Sequence, residues 1–332
     1  MISFDNTEIA FKGKSNRDLK RAYWLFKAVG SRWLVKFGRW STNIAFKLRL
    51  PIKGIIRKTI FRQFCGGESI EGSIDASNDL AKRNVKTILD YSIEGKTSDD
   101  DFDATVAEII ATIEEAKNNP NIPFAVFKTT GICLFSILEK SNGSIENLSP
   151  EEFKKYRQLS TRVNAICSAA HSCDVPVFID AEESWIQDTI DRLALEMMVR
   201  YNTKKAIVFN TLQFYRHDRL DYFESCIDAA QAGSYFLGIK LVRGAYMEKE
   251  RGRSEEVGYA SPIQDSKAAS DNDFNTALRM AVANLNTVSI CAGSHNEKSA
   301  LLLVELMQEM GIDKNDPRIY FAQLLGMSDH IS

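Results

Sequence analysis

Short runs of β-branched and aromatic residues alternate with amphipathic helical stretches from about residue 85 to the last residue. Runs of this kind, bounded by polar residues and glycine, are typical of buried β-strands. Seven runs meet this description, and they cover residues 85–91, 123–130, 175–182, 206–214, 235–244, 288–294 and 319–326. Because strands that alternate with helices usually pair in parallel, the pattern predicts an α/β fold built on a parallel sheet.

A parallel strand–helix repeat forms either an open doubly wound sheet or a closed (β/α)8 barrel. A glycine-rich dinucleotide turn after the first strand would favour the open sheet. The segment at that place, DYSIEG, has a single glycine and no G-x-G-x-x-G motif. Motifs of phosphate loops, zinc proteases and serine hydrolases are also absent from the sequence. The main support for the open sheet is therefore missing.

Each predicted strand ends in a polar residue at or near its carboxyl side. These residues are Asp90, Lys128, Asp180, Gln213, Lys240 with Arg243, His295 and Gln323. Any one of them is explained by a helix cap, a loop hydrogen bond or a side chain that extends to solvent. Their recurrence in seven consecutive strands indicates a site, because the carboxyl ends of barrel strands carry the active site. Two lysines and an arginine that face two aspartates predict an anionic ligand.

The charge of the chain is unevenly distributed. Residues 1–60 hold 14 Lys and Arg against 3 Asp and Glu, a balance of +11, while the whole chain carries −2. Trp24, Trp33 and Trp40 are interleaved with these basic residues. Such an arm fits an anionic membrane surface or nucleic acid, and a solvated face of packed helices is the alternative. No signal peptide and no run long enough to span a membrane is recognisable.

The six cysteines never form a C-x-x-C pair, and the chain has only four histidines. No zinc or iron–sulfur spacing can be assembled from these residues, so we expect no metal site. Reduced, buried thiols in a cytoplasmic compartment are the expected state.

Several stretches together resemble the proline dehydrogenase family, in particular its FAD-dependent, monofunctional bacterial members. The resemblance begins near Phe64 and runs in order to the last residue. Its most specific parts are FIDAEESWIQ (178–187) and KLVRGAYMEKER (240–251), supported by FKTTGI (127–132), NTLQFY (210–215), GSHN (293–296) and QLLGMSDHIS (323–332). The resemblance implies a distorted (β/α)8 barrel over residues 81–332 behind a basic, helical N-terminal region over residues 1–80. Because the family continues with an eighth strand and a last helix, we expect a truncated barrel with seven strands.

The resemblance also implies roles for single residues. Lys128 would pair with the carboxylate of proline, and Asp180 would lie at the substrate amine. Lys240 would support the charge of the reduced flavin rather than transfer a proton. The residues implied as FAD-binding are Asp180, Gln213, Lys240, Val242, Arg243, Gly244, Ser270, Ser294, His295, Gln323 and Leu324.

The activity that the resemblance implies is the oxidation of L-proline to 1-pyrroline-5-carboxylate, the first step of proline degradation to glutamate. Hydride would pass to the flavin N5, and the electrons would leave to a membrane quinone. The basic arm would then contact a membrane peripherally, at the inner face of a cytoplasmic membrane, and nucleic acid is not an expected partner.

Two other functions stay open from the residues alone. A barrel aldolase would form a Schiff base on Lys128 or Lys240. An inactive fragment or pseudoenzyme would use the basic arm to bind a membrane or a protein partner. The charged segment 247–273 is either a solvated loop or a mobile lid, Glu94 is a candidate gate residue, and Arg243 is expected to bond the flavin or a carboxylate such as Glu182.

Overall fold

Seven parallel strands form one sheet in the order of the sequence in a computed structural model, which describes residues 4–48, 51–90 and 96–332. The strands are β1 (Ile88–Asp90), β2 (Phe124–Phe127), β3 (Val177–Ile179), β4 (Val208–Gln213), β5 (Leu237–Val242), β6 (Val288–Gly293) and β7 (Ile319–Ala322). Every predicted strand is present, and the predicted seven-stranded barrel-type fold is confirmed. Within the described residues, β1 and β7 each pair with one neighbour only.

The sheet is curled, so that its two faces bury different sets of side chains. On the inner face, the ring of Phe124 in β2 lies 4.7 Å from that of Tyr320 in β7, although these strands are far apart in the sheet order. The Phe178 ring stacks on the Phe124 ring with the ring centres 4.3 Å apart, and the Phe209 ring packs edge-on against Phe124 at 5.4 Å. We call Phe124, Phe178, Phe209 and Tyr320 the aromatic floor. The outer face carries Val, Ile and Leu, which pack under the helices in the main core.

Helices follow the strands and cover the outer face. They are α7 (Asp99–Lys117), α8 (Phe135–Lys140), α9 (Pro150–Cys173), α10 (Ser184–Tyr201), α11 (Arg219–Gly233), α12 (Met247–Val257), α13 (Lys267–Ala283) and α14 (Glu297–Glu309). Local sequence determines where several of them begin. Ser149 and Glu152 form a capping box at the start of α9, with proline as the first helical residue.

The chain divides into two compact units, Met1–Val85 with Gln323–Ser332, and Lys86–Ala322. The first unit is helical, as predicted, with α1 (Thr7–Ala10), α2 (Asn16–Val29), α3 (Arg32–Lys47), α4 (Lys53–Ile56), a π-helical turn (Arg57–Phe61), α5 (Arg62–Phe64) and α6 (Ile70–Ala81). The predicted domain boundary at residues 80 and 81 stays a prediction. None of the described helices is long and apolar enough to cross a lipid bilayer.

Candidate functional site

A row of mostly polar side chains crosses five strands near the carboxyl end of the inner face. Thr211 in β4 lies opposite Lys240 in β5, which lies opposite Cys291 in β6. Lys128 and Asp180 directly follow β2 and β3, whose last residues are paired, and they continue the same register. Because side chains alternate between the faces of a strand, these residues share the side of the aromatic floor. We call Lys128, Asp180, Thr211, Lys240 and Cys291 the polar row.

The centre of the polar row is an ion pair. The Lys240 ammonium donates to the Asp180 carboxylate at 2.5 Å, and the two side chains are only 19% and 17% exposed. Thr211 donates a second hydrogen bond to Asp180 at 3.3 Å, and Lys240 lies 5.1 Å from the centre of the Phe178 ring. Burial lowers the pKa of Lys240, but the charge and hydrogen bond of Asp180 outweigh burial and raise it. Lys240 is therefore a fixed cation at neutral pH.

Two residues further along the strands, on the same face, a second row of residues forms a close-packed wall. Gln213 in β4 lies opposite Val242 in β5, and Gly293 in β6 lies opposite Ala322 in β7. Gln213 is buried and donates to the backbone oxygen of Glu182 at 2.7 Å. A Cβ atom on Gly293 would lie 3.0 Å from the Val242 side chain. Two residues predicted to bind a cofactor, Gln213 and Val242, thus stand directly beyond the polar row.

Glu182 is a buried carboxylate that the sequence identified only as a candidate partner of Arg243. It accepts hydrogen bonds from the Thr129 hydroxyl at 2.8 Å, the Thr130 N–H at 3.0 Å and the Thr130 hydroxyl at 2.5 Å. Burial raises its pKa, and the bonds from Thr130 and Thr129 offset part of that rise. Glu182 ties the loop after Lys128 to the loop after Asp180, so it positions both. The available signal was the pair of glutamates, Glu182 and Glu183, shortly after a buried strand.

Arg243 lies on the opposite side of its strand from the polar row. The alternation that turns Lys240 inward turns Arg243 toward the helices, where it donates to Asp271 of α13 at 2.5 Å and to the Ser294 and Ser299 hydroxyls at 2.8 Å. The carboxylate partner is Asp271 and not Glu182, whose oxygens already accept three hydrogen bonds. The predicted role of Arg243 and Ser294 at a cofactor stays a prediction.

Gly244 and Tyr246 follow β5 and shape its end. Gly244 has a φ of +125°, and a Cβ atom there would lie 2.5 Å from the Tyr215 ring, so the backbone approaches that ring closely. Tyr246, which the sequence did not single out, accepts a hydrogen bond from Lys128. Burial raises the pKa of Tyr246 to about 12, and the Lys128 charge limits the rise. Lys128 and the end of β5 thus belong to one cluster.

The other predicted residues fall in several places. Ser270 is a buried residue of α13, and His295 is half-buried and is the second residue after β6. Gln323 and Leu324 belong to the unit of Met1–Val85 with Gln323–Ser332, and the Leu324 side chain is 67% exposed. Glu94 lies outside the described residues.

The segment 247–273 is largely helical, so its interpretation as a loop is wrong for α12 and for the start of α13. Glu250 of α12 is fully buried and accepts hydrogen bonds from the Ser184 N–H at 2.6 Å and the Ser184 hydroxyl at 2.7 Å. The Arg253 guanidinium lies 4.4 Å from the centre of the Trp185 ring. Both contacts hold α12 to the first turn of α10. Whether this segment acts as a lid stays a prediction.

The two rows suit a flavin. A flat, largely apolar ring system requires a smooth apolar surface with few polar groups at its edge. The wall of Val242 and Gly293 supplies that surface, and Gln213 supplies an amide. Lys240 has three donor hydrogens, of which Asp180 accepts one. The donor set thus fits a ring that gains negative charge on reduction.

Comparisons with known proteins agree on one family. The family model described as proline dehydrogenase matches residues 73–332, which are 260 of the 332 residues. Proline dehydrogenase 1, mitochondrial, of Dictyostelium discoideum is 29% identical over 98% of this chain and 65% of its own length. The protein of the same name from Arabidopsis thaliana is 28% identical over 97% of this chain and 74% of its own length.

A solved structure is similar in fold. It is proline utilization A from Bdellovibrio bacteriovorus, inactivated by N-propargylglycine, which superposes with a TM-score of 0.72 at 16% identity. The match covers 99% of this chain and 35% of that one. This chain therefore spans less than two thirds of the length of the Dictyostelium protein and about a third of the solved chain.

Proposed function

The chain belongs to the proline dehydrogenase family, and from this premise we propose that it oxidises L-proline to 1-pyrroline-5-carboxylate. Members of the family are generally FAD-dependent, and we propose FAD as the cofactor of this chain. The observation that carries the proposal is the Asp180–Lys240 ion pair beside Lys128 on the inner face of the sheet. These three charges suit a substrate that carries one carboxylate and one amine next to a ring that is reduced.

Lys128 and Asp180 orient the substrate. They follow neighbouring paired strands, so their backbones are about 4.8 Å apart. Their side chains therefore leave the same edge of the sheet side by side, so that one small amino acid can contact both. The Lys128 ammonium bonds the substrate carboxylate, and the Asp180 carboxylate accepts a hydrogen bond from the substrate nitrogen.

Bound FAD supplies the hydride acceptor at its N5 atom. Lys240 stays protonated because Asp180 raises its pKa, and its fixed charge stabilises the negative charge that grows during reduction. Gln213 and Val242 would line its ring. The residues proposed as the rest of the cofactor site are Arg243, Gly244, Ser270, Ser294, His295, Gln323 and Leu324.

The electrons pass to a quinone in a membrane, and the basic arm holds the protein at that membrane as a peripheral protein. Residues 1–60 carry a balance of +11, which favours an anionic surface such as the inner face of a cytoplasmic membrane. Oxidation of proline itself does not depend on this membrane contact.

The Schiff-base alternative is disfavoured for Lys240. An amine that attacks a carbonyl requires a lowered pKa, whereas the pKa of Lys240 is raised. A pseudoenzyme differs from the proposed enzyme in having no proline-dependent activity at all.

The test is dye-linked oxidation of proline by the purified chain after incubation with FAD. We expect proline-dependent reduction of a soluble dye, and a loss of about a hundredfold or more in kcat/KM for Asp180→Asn and Lys128→Met, since each removes one charged contact to the substrate. Arg200→Gln, on the exposed side of α10, is the matched control and keeps the wild-type rate. A protein that binds no flavin and reduces no dye would refute the proposal.

A further inference from the structure

Helix α3 carries an uncovered aromatic stripe. Trp33, Phe37 and Trp40 recur at the spacing of one helix face, and their exposures are 70%, 50% and 59%. The rings of Trp33 and Phe37 are stacked at 5.6 Å, and those of Phe37 and Trp40 lie 5.8 Å apart. A contiguous apolar patch of this kind marks an interaction surface.

Helix α2, which contacts α3, exposes further rings. Tyr23 and Trp24 are 60% and 63% exposed, and their rings lie 5.5 Å apart. The Lys27 ammonium lies 5.2 Å from the centre of the Trp24 ring. We call Tyr23, Trp24, Trp33, Phe37 and Trp40 the aromatic set.

The neighbourhood of the aromatic set determines which partner it fits. The two helices lie in the segment with a balance of +11, which attracts an anionic surface. They also expose the aliphatic residues Val29, Leu34 and Val35. Stacking on the bases of a nucleic acid uses rings and cations but gains little from exposed aliphatic side chains. An anionic bilayer has a favourable place for the aromatic, the aliphatic and the basic side chains. Trp and Tyr favour the headgroup region, aliphatic groups favour the acyl boundary, and lysines bind lipid phosphates.

We propose that α2 and α3 bind an anionic bilayer by inserting the aromatic set into its headgroup region while the surrounding lysines bind lipid phosphates. The inference rests on the proposed function, because an enzyme that reduces a membrane quinone must reach the bilayer. It specifies the mode of contact: apolar insertion together with charge. Binding by charge alone would vanish at high salt, when the Debye length falls from about 10 Å at 0.1 M to about 3 Å at 1 M.

The experiment measures sedimentation of the full chain with vesicles of phosphatidylcholine and with vesicles of an equimolar mixture of phosphatidylcholine and phosphatidylglycerol. The test variant is Trp33→Ser, Phe37→Ser and Trp40→Ser together. Its control is Val199→Ser with Met310→Ser, which removes two side chains that are 54% and 56% exposed elsewhere. Circular dichroism checks that both variants fold.

We expect binding to the anionic vesicles that weakens with salt. The partition coefficient of the test variant should fall about tenfold or more, because three partly inserted rings lose their apolar contact. The control should bind as the wild type does. Since three of the four tryptophans lie in α2 and α3, tryptophan emission should shift to the blue and be quenched by brominated acyl chains.

Three results would overturn the inference: equal binding of the test variant and the wild type, binding to single-stranded RNA but not to vesicles, or a concentration-dependent dimer that the test variant loses. Dye-linked proline oxidation, measured on the same samples without lipid, separates this inference from the proposed function. Vesicle binding without proline oxidation would refute the proposed function and support the membrane contact. Proline oxidation without vesicle binding would support the proposed function and refute the membrane contact.

Discussion

The Asp180–Lys240 ion pair allows a detailed prediction of stability. At a separation of 2.5 Å, the attraction is about 7 kcal/mol at an effective dielectric constant of about 20. Desolvation of the two mostly buried charges offsets much of this gain. When one partner is removed, the other charge stays buried without the attraction that offset its desolvation. A single substitution should therefore lower the free energy of unfolding by more than the intact pair contributes to it.

We therefore expect Asp180→Asn to lower the free energy of unfolding by about 3–5 kcal/mol, because it leaves the Lys240 ammonium beside the Phe178 ring without its acceptor. Lys240→Met should cost less, because Thr211 still donates to Asp180. The double variant Asp180→Asn with Lys240→Met should be more stable than the sum of the two losses predicts. The coupling free energy should be about 2 kcal/mol or more.

The assay is urea unfolding of the four proteins of the cycle, followed by circular dichroism without added flavin. The matched control is a cycle on Arg200 and Glu196, an ion pair whose side chains are 50% and 46% exposed and which should couple only weakly. If the two cycles give the same coupling, Asp180 and Lys240 behave as a solvated pair, and the electrostatic argument for Lys240 as a fixed cation fails.

Substitutions at two further residues test neighbouring parts of the site. Because the pKa of Glu182 is raised above 4.5 in the folded state, the folded protein binds this proton more tightly, and stability should fall as the pH rises from 4.5 through the raised pKa. Glu182→Gln keeps the acceptor for the Thr130 N–H and should remove this slope, whereas Glu182→Ala should cost about 1–3 kcal/mol at every pH. Gly244→Ala should cost about 2 kcal/mol or more, because the new Cβ meets the Tyr215 ring at a positive φ.

Gly244→Ala has a matched control. Gly252→Ala, inside α12, places a Cβ where no atom lies within 4 Å, and it should be neutral or stabilise by about 0.5–1 kcal/mol. If Gly244→Ala and Gly252→Ala have the same effect in urea unfolding, the close approach to Tyr215 is not a constraint. A pH slope that persists in Glu182→Gln would belong to another group.

Hydrophobic runs in the sequence located all seven strands, but each predicted run is longer than the strand that the structure describes. The run 235–244 was predicted as a strand, and β5 spans Leu237–Val242. The run 123–130 was predicted as a strand, and β2 spans Phe124–Phe127. The extended chain continues beyond the point where a neighbouring strand can pair with it. The end of a strand therefore depends on its neighbour, which composition does not reveal.

Helix α12 could not be recognised from its own sequence. Its residues carry both signs of charge and no apolar stripe, so the periodic signal of a packed helix is absent. Its buried contact is a carboxylate, Glu250, bonded to Ser184 in a different part of the chain. Hydrogen bonds to a distant part of the chain therefore hold this helix in place, and no local sequence pattern announces them.

The alternation of side chains along a strand made part of the site predictable from the sequence. It places Asp180, Gln213 and Lys240 on the inner face, and the same rule turns Arg243 away from Lys240. The partner of Arg243 is Asp271, in a segment that was interpreted as a loop. The contact of Lys128 with Tyr246 joins two strand ends more than a hundred residues apart, and local sequence carries no signal for it.

The most direct test of the account is an anaerobic titration of the flavin-loaded chain with L-proline, followed by the visible absorbance of the flavin. We expect bleaching by L-proline that equals the bleaching by dithionite, and bleaching by proline that is about a hundredfold slower or more in Asp180→Asn, although that variant still binds flavin. A wild-type protein that holds flavin and is bleached by dithionite but never by proline would contradict the central claim.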